Sequence, residues 1–178
     1  MELRVPGDKS ISQRALILSS LAEGENRIRG LLCGGDPAST AGALRGLGVP
    51  IPNLTPGRRE ITFRGLGLRG LRTPTGPLDV ENSGTGARLL LGVLAGQPLE
   101  AVVTGDESLR QRPMGRVTDP LSAMGAHFEA LETEGRLPIR VRGGPLRDFS
   151  YHLPVASAQL KSSLLLAGLV GGVEVRLV

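Results

Sequence analysis

Three segments of this chain resemble one another, and that repetition limits the fold more than any single motif. They are Ser10–Gly24 (SISQRALILSSLAEG), Ser83–Gln97 (SGTGARLLLGVLAGQ) and Ser157–Gly171 (SAQLKSSLLLAGLVG). Successive copies lie about 73 to 75 residues apart, a regular period that points to repeated supersecondary units. Each copy opens on small polar residues, continues as an apolar run of helical length and closes near a glycine. A Ser, Thr or Asn stands just before each run, the pattern of an N-cap whose side-chain oxygen accepts from a free backbone N–H. In the first copy Ile11, Ala15, Leu18 and Leu21 or Ala22 recur at helical spacing, which predicts a buried apolar stripe. The runs are apolar on most sides and are expected to be largely buried.

A short strand is predicted after each helix: Asn26–Leu31, Leu99–Thr104 and Val173–Val178. After the first two comes Gly-Asp (Gly35-Asp36, Gly105-Asp106), then a second helix ending at Leu47-Gly48 or Met124-Gly125. Strand pairs are expected next, the Ile51 region with Glu60–Phe63, and Phe128–Thr133 with Leu137–Val141. The unit reads β-α-β-α-β-β. Two full units (about 1–75 and 76–148) and part of a third (149–178) make one α/β (α+β) domain whose third unit is incomplete.

Composition narrows the function. The net charge is +4 and the isoelectric point about 10.2, a balance that suits nucleic acid, anionic membrane or anionic metabolites. Nucleic acid fits poorly: one Tyr, three Phe and no Trp cannot build a stacking platform. The 40% hydrophobic and 21% charged residues are a globular balance. Cys33 is the single cysteine, so no intrachain disulfide forms. It is expected to pack inertly. His127 and His152 lack metal-spaced partners. No run approaches the roughly 20 apolar residues of a membrane helix. The opening MELRVPGDKS is neither a signal nor a transit peptide, so a soluble cytoplasmic protein without membrane or nucleic-acid partners is the expectation.

The N-terminus of a buried helix offers free N–H groups and partial positive charge, a ready anion site. If rotation relates the repeats, their helix starts can converge on one cavity. The first start carries Lys9, Ser10 and Arg14 around Pro6-Gly7-Asp8. The second carries Asn82, Ser83, Gly84, Thr85 and Arg88, and the third Ser157, Gln159 and Lys161. Arg110 and Arg112 follow the second Gly-Asp. Taken singly, each is an ordinary cap, turn glycine or solvated charge. Their recurrence at equivalent positions points to a site for a phosphorylated, hydroxylated ligand. A P-loop is ruled out, because Asp8 stands where glycine must precede Lys9. A serine-hydrolase set is also lacking.

The same residues resemble the EPSP synthases, of the enolpyruvyl transferase family. PGDKSISQRALILSSLAEG resembles their opening motif and ENSGTGARLL their Asn-x-Gly-Thr-x-x-Arg signature. GDESLRQRPM resembles their Arg-x-Arg-Pro segment and SAQLKSSLLLAGL their Ser-x-Gln motif. The four stand in family order across nearly the whole chain. The resemblance implies an inverted α/β barrel of repeated β-α-β-α-β-β units, with a second domain that is absent here. It implies transfer of the enolpyruvyl group of phosphoenolpyruvate to the 5-hydroxyl of shikimate 3-phosphate, without metal or organic cofactor. Residue by residue, it makes Lys9 a lysine near both substrates with a proton-transfer role. It makes Ser10, Arg14, Ser157 and Gln159 shikimate-phosphate contacts, and Gly84 and Arg112 the phosphoenolpyruvate side, with Gln159 also close. Gly84 would admit glyphosate. Ala158 stands where some relatives carry a second Ser.

The acidic and basic groups of the family's other domain have no counterpart here, so the chain alone is expected to be inactive. The alternatives are a non-catalytic anion-binding module, or one half of a split enzyme whose C-terminal half is supplied by another chain. UDP-N-acetylglucosamine enolpyruvyl transferase is a further alternative, disfavoured by Ser10 where that family has Asn.

Overall fold

A computed structural model describes Val5, residues 7–58 and residues 60–178; Pro6 of the opening motif lies outside them. The chain is a mixed α/β structure. Its elements are α1 (Lys9–Leu21), β1 (Glu23–Arg29), α2 (Gly35–Gly46), β2 (Glu60–Leu66), β3 (Leu78–Asp79), α3 (Gly84–Ala95), β4 (Glu100–Thr104), α4 (Glu107–Arg110), α5 (Gly115–Met124), β5 (His127–Ala130), β6 (Ile139–Arg142), β7 (Phe149–Tyr151), α6 (Ala158–Gly171) and β8 (Val175–Leu177).

The three repeated segments become α1, α3 and α6. α3 is the centre: every one of its residues except Arg88 is buried, as expected for a helix apolar on all sides. It packs most extensively on α6, and also on α1, α2 and α5. Small residues set the α3–α6 distance. A Cβ on Gly92 would lie 2.3 Å from the Ser163 carbonyl oxygen and 2.6 Å from its Oγ. The Ser163 hydroxyl in turn donates to the Arg88 carbonyl at 2.7 Å.

The outer helices follow the repeat. α2 packs on α1 and α3, and α5 on α3 and α6. Among the described residues no helix fills the equivalent place between α6 and α1. There Leu18, Leu165, Leu166 and Leu169 line an apolar groove with Arg14 and Ser162. The strands form three small sheets. β1 pairs with β2 antiparallel; β3, β4, β6 and β5 form a mixed sheet in that order; β7 pairs with β8 in parallel. The parallel pair β3–β4, joined across α3, is repeated by β7–β8 across α6.

Several expectations need correction. The apolar stripe of α1 is only partly its buried face: Leu21 is buried, but Ile11 is 70% and Leu18 49% exposed, while Ser12, Gln13 and Ser20 are buried beside Leu16 and Ile17. The Ser12 and Ser20 hydroxyls and the Gln13 amide N–H groups find partners, as buried polar groups normally do. Ser12 Oγ accepts from the Leu32 N–H, Ser20 Oγ donates to the Leu16 carbonyl, and Gln13 binds Thr40 and Ser83. The α1 cap is Asp8, whose carboxylate accepts from the Ile11 N–H at 2.7 Å; Ser10 already lies inside the helix. Ser83 and Ser157 do cap α3 and α6.

The Ile51 region forms no strand, and β2 pairs with β1 instead. β1 begins at Glu23 rather than Asn26. The helix expected after Gly105-Asp106 is two helices, because Pro113 has no N–H with which to continue the first. The short strands β3 and β7 have too few residues for a periodic signal.

Alanine normally stabilises a helix over glycine by about 1 kcal/mol. At Gly92 the contact with Ser163 reverses that sign. Gly92→Ala is expected to destabilise the chain by about 1–3 kcal/mol through overpacking, measured by urea unfolding.

Candidate functional site

The starts of α1, α3 and α6 meet at one cavity of about 500 Å³. Ser10, Ile11 and Arg14 line it from α1, Thr85 from α3, and Ala158, Gln159, Lys161 and Ser162 from α6. The lining holds two cations and no carboxylate, so its charge favours an anion.

Each pair of these helices is joined by a side-chain hydrogen bond near its start. Gln13 Nε2 donates to Ser83 Oγ at 2.6 Å, tying α1 to α3. Gln159 Nε2 donates to Thr85 Oγ1 at 3.0 Å, tying α6 to α3. Arg14 Nη2 donates to Ser162 Oγ at 2.9 Å, tying α1 to α6. Arg14 also donates to the Ser10 carbonyl and, more weakly, to that of Ala158. Its guanidinium is thus held flat against the cavity wall by neutral acceptors, and its charge is not cancelled by an acid.

Lys9 is the first residue of α1, and its Nζ lies 2.9 Å from Asp36 Oδ2 in the first turn of α2. It stands outside the set of lining residues, half-exposed beside that carboxylate. Ser157 also stands outside the set, and its hydroxyl is engaged as the α6 cap.

Gly84 and Arg112 form a second cluster, one residue along α3 from Thr85. The break between α4 and α5 leaves Arg112 free to reach back, and its Nη2 donates to Asn82 Oδ1 at 2.7 Å. Asn82 Nδ2 donates to Asp106 Oδ2 at 2.7 Å, and Asp106 also caps α4 by accepting from the Leu109 N–H. Arg88 spans the break, donating to the Gly84 and Pro113 carbonyls at 3.0 Å each. Burial, then the positive charges of Arg112 and Arg116, push the Arg88 guanidinium below its ordinary pKa. Crowded guanidiniums of this kind are relieved by an anion.

Glycine at position 84 leaves room for these groups. A Cβ there would lie 2.9 Å from Arg88 Nη1 and 3.3 Å from Arg112 Nη1. Just upstream, Glu81 takes a left-handed backbone (φ 50°), uncommon for a residue with a side chain. Its carbonyl accepts from the Asp106 N–H, joining the loop to the start of α4.

The cavity therefore gathers Ser10, Arg14 and Gln159. Gly84 and Arg112 stand together beside it, and Lys9 and Ser157 are each held by another partner. Arg110 is turned away and pairs with Glu132. Thr85, Ser162, Asp36 and Gln13 contribute without having been singled out for these contacts. Only the inter-helix bonds show their use, although the repeat pattern had already placed Thr85 at a helix start. Burial raises the Cys33 thiol pKa, with Arg58 opposing, which keeps it protonated. Among the described residues there is no cluster of three metal-ligating side chains, and no helix is long and apolar enough to cross a membrane.

The fold is one already seen in solved EPSP synthases. A structure of EPSP synthase from Acinetobacter baumannii superposes with a TM-score of 0.88 at 44% identity, over 94% of this chain and 37% of that one. The chain belongs to the EPSP synthase (3-phosphoshikimate 1-carboxyvinyltransferase) family, whose model matches residues 1–178. It is 58% identical over 168 residues to the 3-phosphoshikimate 1-carboxyvinyltransferase of Alkalilimnicola ehrlichii, covering 94% of this chain and 37% of that protein. The enzyme of the same name from Granulibacter bethesdensis is 56% identical over 168 residues, with 94% and 36% covered. The chain thus spans a little over a third of the length of these relatives.

Two outcomes are expected at the Arg112 cluster. Asp106 is held below its ordinary pKa of 3.8, first by the Asn82 hydrogen bond and then by the Leu109 N–H. A depressed carboxylate contributes stability above its unfolded value and loses it as pH falls through the folded one. The Asn82–Asp106 bond should therefore open at a lower pH than that at which an unperturbed Asp carboxyl titrates. An NMR titration of the Asn82 side-chain amide from pH 7 to pH 2 reads that midpoint. Gly84→Ala should leave the fold intact, since the atoms displaced are flexible side-chain ends. It should weaken anion binding at this cluster, read by phosphate titration of the Arg112 guanidinium resonance.

Proposed function

We propose that this chain is the shikimate 3-phosphate-binding part of a 3-phosphoshikimate 1-carboxyvinyltransferase. The observation that carries this reading is the cavity where three helix starts, Arg14 and Lys161 face one space without a carboxylate. Ser10, Arg14, Ser157 and Gln159 are assigned to shikimate 3-phosphate. In that role Arg14 supplies charge for the phosphate, and the hydroxyl and amide groups pair with phosphate oxygens or ring hydroxyls. Gly84 and Arg112 are assigned to phosphoenolpyruvate, with Gln159 between the two ligands. Gly84 leaves room for a small phosphonate such as glyphosate in the same place.

In the reaction, the 5-hydroxyl oxygen of shikimate 3-phosphate loses its proton and forms a bond to C2 of phosphoenolpyruvate, while C3 gains a proton and the C2–C3 double bond becomes single. The resulting tetrahedral adduct loses phosphate from C2 and a proton from C3. The products are 5-enolpyruvylshikimate 3-phosphate and inorganic phosphate, a step toward the aromatic amino acids. Lys9 is assigned to proton transfer near both ligands. The Asp36 carboxylate at 2.9 Å from Nζ holds that group in place at the start of α1.

General acid–base chemistry needs both partners placed around the reacting atoms. The remaining length of the relatives is the natural source of the second partner. The isolated chain is therefore a binding unit without turnover. The apolar groove between α1 and α6 favours association with the remainder of such an enzyme, in the same polypeptide or in another.

Calorimetric titration with shikimate 3-phosphate tests this. The chain is expected to bind, and Lys9→Ala combined with Arg14→Ala to lose at least tenfold in affinity, or about 1.4 kcal/mol. Absence of binding at millimolar ligand by a folded chain would remove the assignment of a working site.

A further inference from the structure

Gln13 lies on the buried face of α1, one residue before Arg14, and is fully buried. Its Nε2 donates to Ser83 Oγ at 2.6 Å and to Thr40 Oγ1 at 2.9 Å, and lies 3.4 Å from the Asp36 carbonyl oxygen. Its Oε1 is buried with no partner. An unpaired buried carbonyl is destabilising, so this amide is a poor choice on stability alone.

Neither of its hydroxyl partners depends on it. Ser83 Oγ also accepts from the Gly86 N–H at 3.0 Å, and Thr40 Oγ1 also donates to the Asp36 carbonyl at 2.9 Å. Removing the amide would therefore leave no new orphan behind. What the amide does supply is position. Ser83 is the cap of α3, immediately before Gly84 and Thr85. Thr40 belongs to the first turns of α2, where Asp36 holds Lys9. One buried side chain on α1 thus fixes the start of α3 and the turn of α2 that orients Lys9.

We infer that Gln13 is a positioning residue of the cavity, setting where Gly84, Thr85 and Lys9 stand relative to Ser10 and Arg14. The inference rests on reading that cavity as the shikimate 3-phosphate site. Arg14 and Gln159, which make the other two inter-helix bonds, line the cavity and are exposed to ligand. Gln13 touches no ligand space and acts only through its partners.

The test is Gln13→Met, which keeps the length and removes both hydrogen bonds and the orphan carbonyl. Removing both sides of such a demand is near neutral or stabilising, so the melting temperature should hold or rise. Affinity for shikimate 3-phosphate, measured well below that temperature, should fall about tenfold. In the ligand-free chain, hydrogen exchange at the Gly86 and Ala87 amides should quicken while Leu91 in mid-helix stays protected.

A lower melting temperature with unchanged affinity and uniform exchange would overturn the inference and leave Gln13 as ordinary core. If the parent chain does not bind, the site reading fails by itself. The exchange pattern at Gly86 and Ala87 against Leu91 then still decides whether Gln13 positions the start of α3.

Discussion

Everything at the site depends on α3 being buried between its two repeats. A helix buried along its length cannot satisfy its first N–H groups with water. Here Ser83 takes one of them, and Thr85 of the first turn lines the cavity. The close approach at Gly92 and Ser163 brings α6 against α3, and Gln13 brings α1 against it from the other side. Without those two contacts the three starts would remain three separate caps, each of the sort found in any helical protein. Brought together, they make a wall of hydroxyls, amides and cations.

The chemistry of the two clusters differs for a structural reason. The cavity cations have no acidic neighbour in the lining, and Arg14 is held by neutral oxygens. The Arg112 cluster instead uses Asp106 and Asn82 to aim a guanidinium, with Arg88 locked across the break before α5. One arrangement leaves charge open to a ligand, and the other fixes the direction of the charge. Lys9 and Asp36 are a third case, an exposed pair whose contribution to stability is small but which fixes the side of the helix start on which the ammonium stands.

Much of this was legible in the chain. The repeat located α1, α3 and α6, and Ser83 and Ser157 announced their caps correctly. The two halves of the outer-helix pattern were also visible, because Gly-Asp followed each strand. The misreadings share a cause. Ile11, Ala15 and Leu18 form a proper helical stripe, but Ser12, Gln13 and Ser20 form another, and only the neighbours of α1 choose between them. Asp8 displaced Ser10 as the cap because either residue is chemically suitable, and the backbone decides which stands first. The Ile51 segment lost its strand because β2 found β1 as a partner, a choice made across more than thirty residues of chain.

The sequence by itself determined the repeating unit, the buried character of α3, and the set of polar and basic residues gathered at helix starts. Those are properties of periodicity and residue type, which act over one or two turns. Tertiary structure alone decided which of those residues face a common space. It turned Arg110 outward to Glu132, brought Arg112 back to Asn82, and held Arg14 on Ser162. It also placed Gln13, the least conspicuous of them, between two helix starts. Such outcomes depend on distances between segments some 70 to 150 residues apart, and no local pattern encodes a distance of that kind.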